Sequence, residues 1–159
     1  MNITVDKGDL LKFFTAGKCD AIAHCCNCQG VMGSGIAAQI KAELPEAYSA
    51  YKAYEDQNDG IDLGSISGMA YPKGFVFNLH AQNLYGYDGS RFVDYEALYK
   101  GLSQTRDMML SNGLKTLGLP YLMACDRAGG GWRIIEAMLE VLFENSGIDI
   151  LVIVYEPSI

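Results

Sequence analysis

The chain has 159 residues, enough for one domain around one core. Half of the residues are hydrophobic and 19% are charged, which excludes a disordered chain, and no apolar run approaches the ~20 residues needed to span a bilayer. The formal net charge of −7 argues against a broad nucleic-acid surface or membrane footprint, yet it permits a small anion held by backbone amides.

In chain order, residues 2–6 read as a first strand and residues 9–15 as a short turn or helical start. Residues 20–26 are mostly apolar, as expected of a strand buried on both faces. Helix-forming Ala, Ile, Gln and Lys fill 34–43, and Pro45 opens a second helix through about Asp56, with Tyr48, Tyr51 and Tyr54 spaced by three. Those tyrosines read as a helix face packed on a sheet. Asn58-Asp59-Gly60 is a turn, and 64–70 and 75–80 are strands joined at Pro72-Lys73-Gly74. An aromatic and glycine-rich loop covers 81–92, a helix runs from about Asp94 to Leu110, and a short strand spans 115–122. Residues 132–145 repeat Ile134, Ile135, Met138, Leu139 and Leu142 at helical spacing, and 148–155 are the clearest buried strand. Helices alternating with apolar strands predict a three-layer α/β/α sandwich with a mixed, largely parallel sheet. The span 1–159 reads as a single domain.

Two segments carry the chemistry. The first runs from Ala21 through His24-Cys25-Cys26-Asn27 and Gly30-x-x-Gly33-Ser34-Gly35 into Ile36-Ala37. It reads as a buried strand, a polar tip, a glycine-rich loop and a helix start. Free amides and the helix dipole there favour phosphate. The glycine spacing matches neither the dinucleotide nor the P-loop fingerprint. The second segment is Asp126-Arg127-Ala128-Gly129-Gly130-Gly131-Trp132, also after a strand. If the two strands are neighbours, both loops share a crevice beyond their carboxyl ends. Trp132 is placed to anchor its helix. The cysteines are Cys19, Cys25, Cys26, Cys28 and Cys125. Strand alternation keeps His24, Cys25 and Cys26 from converging, and no second CxxC pair exists, so they read as buried structural residues rather than metal ligands. An odd count without a secretory signal at Met1–Asp6 fits a reducing cytoplasm.

With those motifs in order, the chain resembles a macrodomain over nearly its whole length. Gly8-Asp9-Leu10, His24-Cys25-Cys26-Asn27, Gly33-Ser34-Gly35-Ile36-Ala37, the Asn78-Leu79 with Gln82 and Tyr95-Glu96-Ala97-Leu98 run, and Ala124-Cys125-Asp126 through Trp132 each match a family segment. The 24–30 stretch is most similar to the yeast-type ADP-ribose 1''-phosphate phosphatases, and the general arrangement also to the ADP-ribose glycohydrolase branch. The resemblance implies ADP-ribose, or something bearing it, as ligand. Asp9 would accept from the adenine amino group, with the Leu10 amide nearby. Amides of Gly33, Ser34, Gly35, Ile36 and Ala37, with those of Ala128, Gly129, Gly130 and Gly131, would hold the diphosphate. Asn27 would bond the distal ribose. The residue chemistry agrees, since a carboxylate suits an amino donor and an amide both donates to and accepts from a diol.

Two departures bear on mechanism. The glycohydrolase branch uses a lysine near the strand after the midpoint, and Gly74 through Tyr99 contains none, with His80 and Ala81 in that region. Gly131, not an aspartate, precedes Trp132. Phosphate hydrolysis needs an oriented water, charge stabilisation and a proton for the leaving oxygen. His24 is a candidate proton donor, or else a satisfied histidine at a strand end. Asp126 is a candidate to position water, or else a turn cap. Arg127 can neutralise a phosphate or face solvent. His80 is a candidate contact or a packed group behind the site, Asp9 a ligand contact or a helix cap. Tyr85, Tyr87 and Phe92 can wall the ligand or cover the core. The expectation is metal-independent hydrolysis, without a cofactor, of ADP-ribose 1''-phosphate; alternatives are de-ADP-ribosylation of a protein or nucleic acid, and a non-catalytic ADP-ribose reader.

Overall fold

The structure, a computed structural model, describes residues 2–33, 35–83, 93–123 and 131–156. In order these form β1 (Ile3–Gly8), α1 (Leu10–Thr15), β2 (Ala21–Asn27), α2 (Gly35–Glu43), α3 (Pro45–Gln57), β3 (Ile66–Tyr71), β4 (Gly74–Gln82), α4 (Tyr95–Ser111), β5 (Thr116–Pro120), α5 (Trp132–Phe143) and β6 (Asp149–Tyr155). Local chemistry sets several of these ends. Pro45 occupies the first turn of α3, where its missing N–H costs nothing, and Asp94 caps α4 by accepting from the Ala97 amide at 2.9 Å. The expected strand 115–122 stops at Pro120, since Leu122 adopts a φ of +61° that no strand tolerates. The expected helix 132–145 stops at Phe143, just before Asn145 at φ +58°.

The strands form one sheet in the order β1-β6-β5-β2-β4-β3. Every pairing is parallel except β3 with β4, which are joined by a two-residue turn. Helices cover both faces, giving the mixed α/β/α sandwich expected. On one face Leu98 and Leu102 of α4 and Ile135 and Leu139 of α5 pack on Ala23, Phe77, Leu79, Leu117 and Val152. On the other, Leu10, Leu11 and Phe14 of α1, Ile40 of α2 and Ala47 of α3 pack on Ile22, Val76 and Ile153. Burial of each large apolar side chain contributes about 1.5–3 kcal/mol. Five parallel strands therefore present their carboxyl ends along one edge, which fixes where their loops emerge.

Candidate ligand site at the carboxyl edge of the sheet

β2 and β5 are neighbours, with Ala21 opposite Leu117, so the segments that follow them leave the sheet side by side. Asp9 follows β1 on the same edge. With β6 and β5 in between, β1 stands three strand spacings from β2, roughly 14 Å at about 4.8 Å each. An edge of that length suits an elongated ligand whose two ends differ in chemistry.

The loop leaving β2 is built around Asn27. Its Oδ1 accepts from the Gln29 amide at 2.9 Å and the Val31 amide at 3.3 Å, and its Nδ2 donates to the Val31 carbonyl at 2.8 Å. Tyr51 of α3, fully buried, reaches up beneath the loop. Its hydroxyl donates to the Asn27 carbonyl at 2.6 Å, lies 2.9 Å from Asn27 Oδ1, and accepts from the Gly30 amide at 3.1 Å. Gly30 sits at φ +77°, and a Cβ there would strike the Glu55 carboxylate. Gln29 donates to the Asn83 carbonyl at 2.9 Å, tying the loop to the end of β4. Asn27 is thus the organiser of this loop, and much of its amide is engaged in that task.

The loop delivers the chain into α2. Gly35, its first residue, has φ +60°, a left-handed conformation that a side chain would strain. The first-turn amides of α2, those of Gly35, Ile36 and Ala37, lack intrahelical acceptors by construction, and the dipole adds positive potential there. Gly33 is exposed, while Ile36 and Ala37 turn their side chains toward the core. Asp9 caps α1: its Oδ1 accepts from Leu11 N at 3.0 Å and Lys12 N at 3.4 Å, and no described residue donates to Oδ2. Leu10 is buried, with its amide at the helix start. Gly131 is the N-cap of α5, and its amide donates to the Tyr95 hydroxyl at 2.9 Å. Ser34, Asp126, Arg127, Ala128, Gly129 and Gly130 lie outside the described residues, as do Tyr85, Tyr87 and Phe92.

Both histidines sit under α3 in a buried hydrogen-bonded chain. Asn78 Nδ2 donates to the Ala47 carbonyl and to Ser67 Oγ, both at 3.0 Å, which fixes its Oδ1 toward His24. His24 Nε2 therefore carries the proton and donates to that Oδ1 at 2.7 Å. The Cys26 sulfur lies against the ring edge, 3.8 Å from the bare Nδ1 and 3.6 Å from Nε2. Ser65 Oγ donates to the Asp62 carbonyl, so it accepts from His80 Nδ1 at 2.7 Å, and Ser67 Oγ donates to His80 Nε2 at 2.9 Å. One donor order satisfies the whole chain with both rings neutral. Burial lowers His24 to about 4 against the pull of Asn78, and burial, aided by His24, lowers His80 to about 4. His24 is only 1% exposed. That placement sets the His24 ring beneath Asn27 as a satisfied, buried histidine at the strand end, hydrogen-bonded to Asn78. His80, ringed by Ser65, Ser67, Tyr51 and Tyr54, is likewise a packed group behind the site.

Among the described residues no cluster of three His, Cys, Asp or Glu side chains is placed to hold a metal ion. Burial pushes the Cys26 thiol well up and Cys28 to about 11, which keeps both protonated and poor as ligands. No helix among the described residues is long and apolar enough to cross a membrane. The sequence reading did not identify Tyr51 as part of the site. A signal was available, since a tyrosine on the buried face of a helix needs a partner for its hydroxyl. That the partner would be a loop 24 residues earlier required the fold.

Comparison with known proteins places this geometry among relatives. No family model matches the chain. An uncharacterized 17.5 kDa protein of Enterobacteria phage T4 is 32% identical over 156 residues, covering 95% of each chain. A human ADP-ribose glycohydrolase is 29% identical, covering 94% of this chain and 90% of its own. An ADP-ribose 1''-phosphate phosphatase of Scheffersomyces stipitis is 44% identical over 66 residues only, 40% of this chain and 38% of the enzyme. Among solved structures, a macrodomain protein from Streptomyces coelicolor superposes with a TM-score of 0.77 at 26% identity, covering 98% of this chain and 99% of its own. The Thermosipho africanus DarTG complex with ADP-ribose superposes with a TM-score of 0.78 at 16% identity, covering 97% of this chain and 42% of its own.

Proposed function

Because the chain belongs to the macrodomain family, we propose that it is an ADP-ribose-binding hydrolase that removes the phosphate from ADP-ribose 1''-phosphate. The observation that carries this reading is the spacing along the carboxyl edge. Asp9 keeps a carboxylate oxygen to which no described residue donates, a helix start opens at Gly35–Ala37, and a side-chain amide sits at Asn27, three chemistries that suit adenine, diphosphate and ribose. Asp9 takes the adenine amino group beside the Leu10 amide. The amides from Gly33 to Ala37, with those from Ala128 to Gly131, hold the diphosphate. Asn27, through the remaining hydrogen of Nδ2, reaches the distal ribose.

In the reaction a water attacks phosphorus, the bond from phosphorus to the C1'' oxygen breaks, one proton of that water ends on the departing oxygen and the other stays on the phosphate, and ADP-ribose and inorganic phosphate leave. Asp126 holds the water and Arg127 offsets the phosphoryl charge. The local identity to the fungal phosphatase and the absence of a lysine from Gly74 to Tyr99 support this leaving group. The full-length likeness to the human glycohydrolase favours a second reading, release of ADP-ribose from a modified protein or nucleic acid, in the same pocket.

The test is phosphate release from ADP-ribose 1''-phosphate by the purified protein with chelator present, and ADP-ribose binding measured in parallel. Release that Asp126→Ala abolishes while binding persists supports the phosphatase. Binding without release moves the weight to ADP-ribosylated macromolecules as substrates, and then to a reader. Failure to bind ADP-ribose sinks all of these.

A further inference from the structure

We propose that the outer face of α5 is a two-fold interface between copies of this chain. Ile134, Ala137 and Val141 recur at helical spacing on the side of α5 turned away from the sheet, where Ile134 is 45% and Val141 64% exposed. With Met138, and with Tyr99 from α4 at 40% exposure, they line an open apolar groove. Nothing in the described fold covers it, although the opposite face of α5 is sealed by Ile135, Leu139, Leu142 and Phe143.

The charges on this helix identify the occupant. Arg133 and Glu140 are exposed, lie on the same flank of the stripe two turns apart, and have no ion-pair partner among the described residues. A two-fold axis crossing the stripe between Ala137 and Met138 runs the second α5 antiparallel to the first. It keeps each flank on its own side and reverses the order along the helix. Ile134 then meets Val141 of the second copy, the small Ala137 lets the helices approach near the axis, and Arg133 meets Glu140 of the second copy twice over. The pattern is complementary to its own reversal, which a surface shaped for an unrelated protein has no reason to be. This is isologous pairing, and a foreign partner becomes an outcome of the test.

Sedimentation equilibrium of the purified chain on the order of 100 µM reads the assembly directly. The expected result is a wild-type dimer, weakened at least about tenfold by Arg133→Glu and by Glu140→Arg, since each substitution sets like charges opposite each other at both ends. Mixing the two variants restores association, because their charges complement in the heterodimer. That rescue also shows that both variants are folded, and Val141→Asp abolishes association without it. A wild-type chain that stays monomeric at this concentration overturns the proposal, as does a dimer that Arg133→Glu and Val141→Asp leave intact. Failure of the mixed variants to pair also overturns it, and would leave the groove to a different protein.

Discussion

The two faces of β2 and β4 are equally buried and built on opposite principles. Toward α4 and α5 the strands offer Ala21, Ala23, Phe77 and Leu79, apolar side chains that hold this part of the face by packing. Toward α3 the same strands offer His24, Cys26, Asn78 and His80, joined to Ser65 and Ser67 of the loop and strand beside them. No buried side-chain nitrogen or oxygen among the described residues lacks a partner, so the polar face carries no orphan group. Packing tolerates small adjustments, whereas a chain of hydrogen bonds with one donor order fixes direction. The directional face lies under Asn27 and its loop, where direction matters to a ligand.

Acid separates the two faces most sharply. Unfolded imidazoles take up protons near 6.5, while His24 and His80 hold out to about 4 in the fold. Between those values the unfolded state binds more protons, so stability that is complete above about 6.5 is lost as the pH falls toward 4. The expected loss is on the order of 3 kcal/mol per ring, read by urea unfolding at pH 7 and pH 4.5. A His80→Gln variant should flatten the slope, and an unchanged slope would show that the rings do not stay neutral in the fold. Next in size, Phe77→Ala on the apolar face should cost about 4 kcal/mol and leave that pH slope as it was. A coupled change in slope would mean that the faces are not independent.

Tyr51→Phe is smaller in stability, about 1 kcal/mol, but should weaken ADP-ribose binding roughly tenfold, because the loop from Asn27 to Gly30 loses its anchor. Calorimetry with ADP-ribose reads it. Equal binding by the variant would make Tyr51 a packing residue only. The smallest expected effect on stability separates the two uses of Asp9. Asp9→Ser keeps a cap for α1 and should change stability by less than about 0.5 kcal/mol, yet weaken ADP-ribose binding about fivefold. Undiminished binding would leave Asp9 a cap and nothing more.

Much of the fold was legible in the sequence because its periodicities are clean. The apolar run of β6, Pro45 at the head of α3 and the turn at Pro72-Lys73 each specify a local element without reference to the rest. The site was legible in part. Asn27 and the glycines around it mark a loop, and glycine is needed there for stated backbone reasons. The direction of His24 was not legible. Alternation says that His24 and Cys26 share a face, but not that α3 covers it, since that follows from the strand order. The joint role of Tyr51 and Asn27 was hidden for the same reason: their contact depends on how α3 crosses the sheet.

The pairing of β1 with β6 also sets a timetable. Among the described strands β1 pairs with β6 alone, so the first of these six strands to be synthesised waits for the last to find its neighbour. At about 5–20 residues per second, synthesis leaves β1 without its partner for roughly ten to thirty seconds. During that interval its open edge is available to other chains. The Asp6 and Lys7 side chains, exposed and of opposite sign, are the kind of residues that discourage such pairing until β6 has been made.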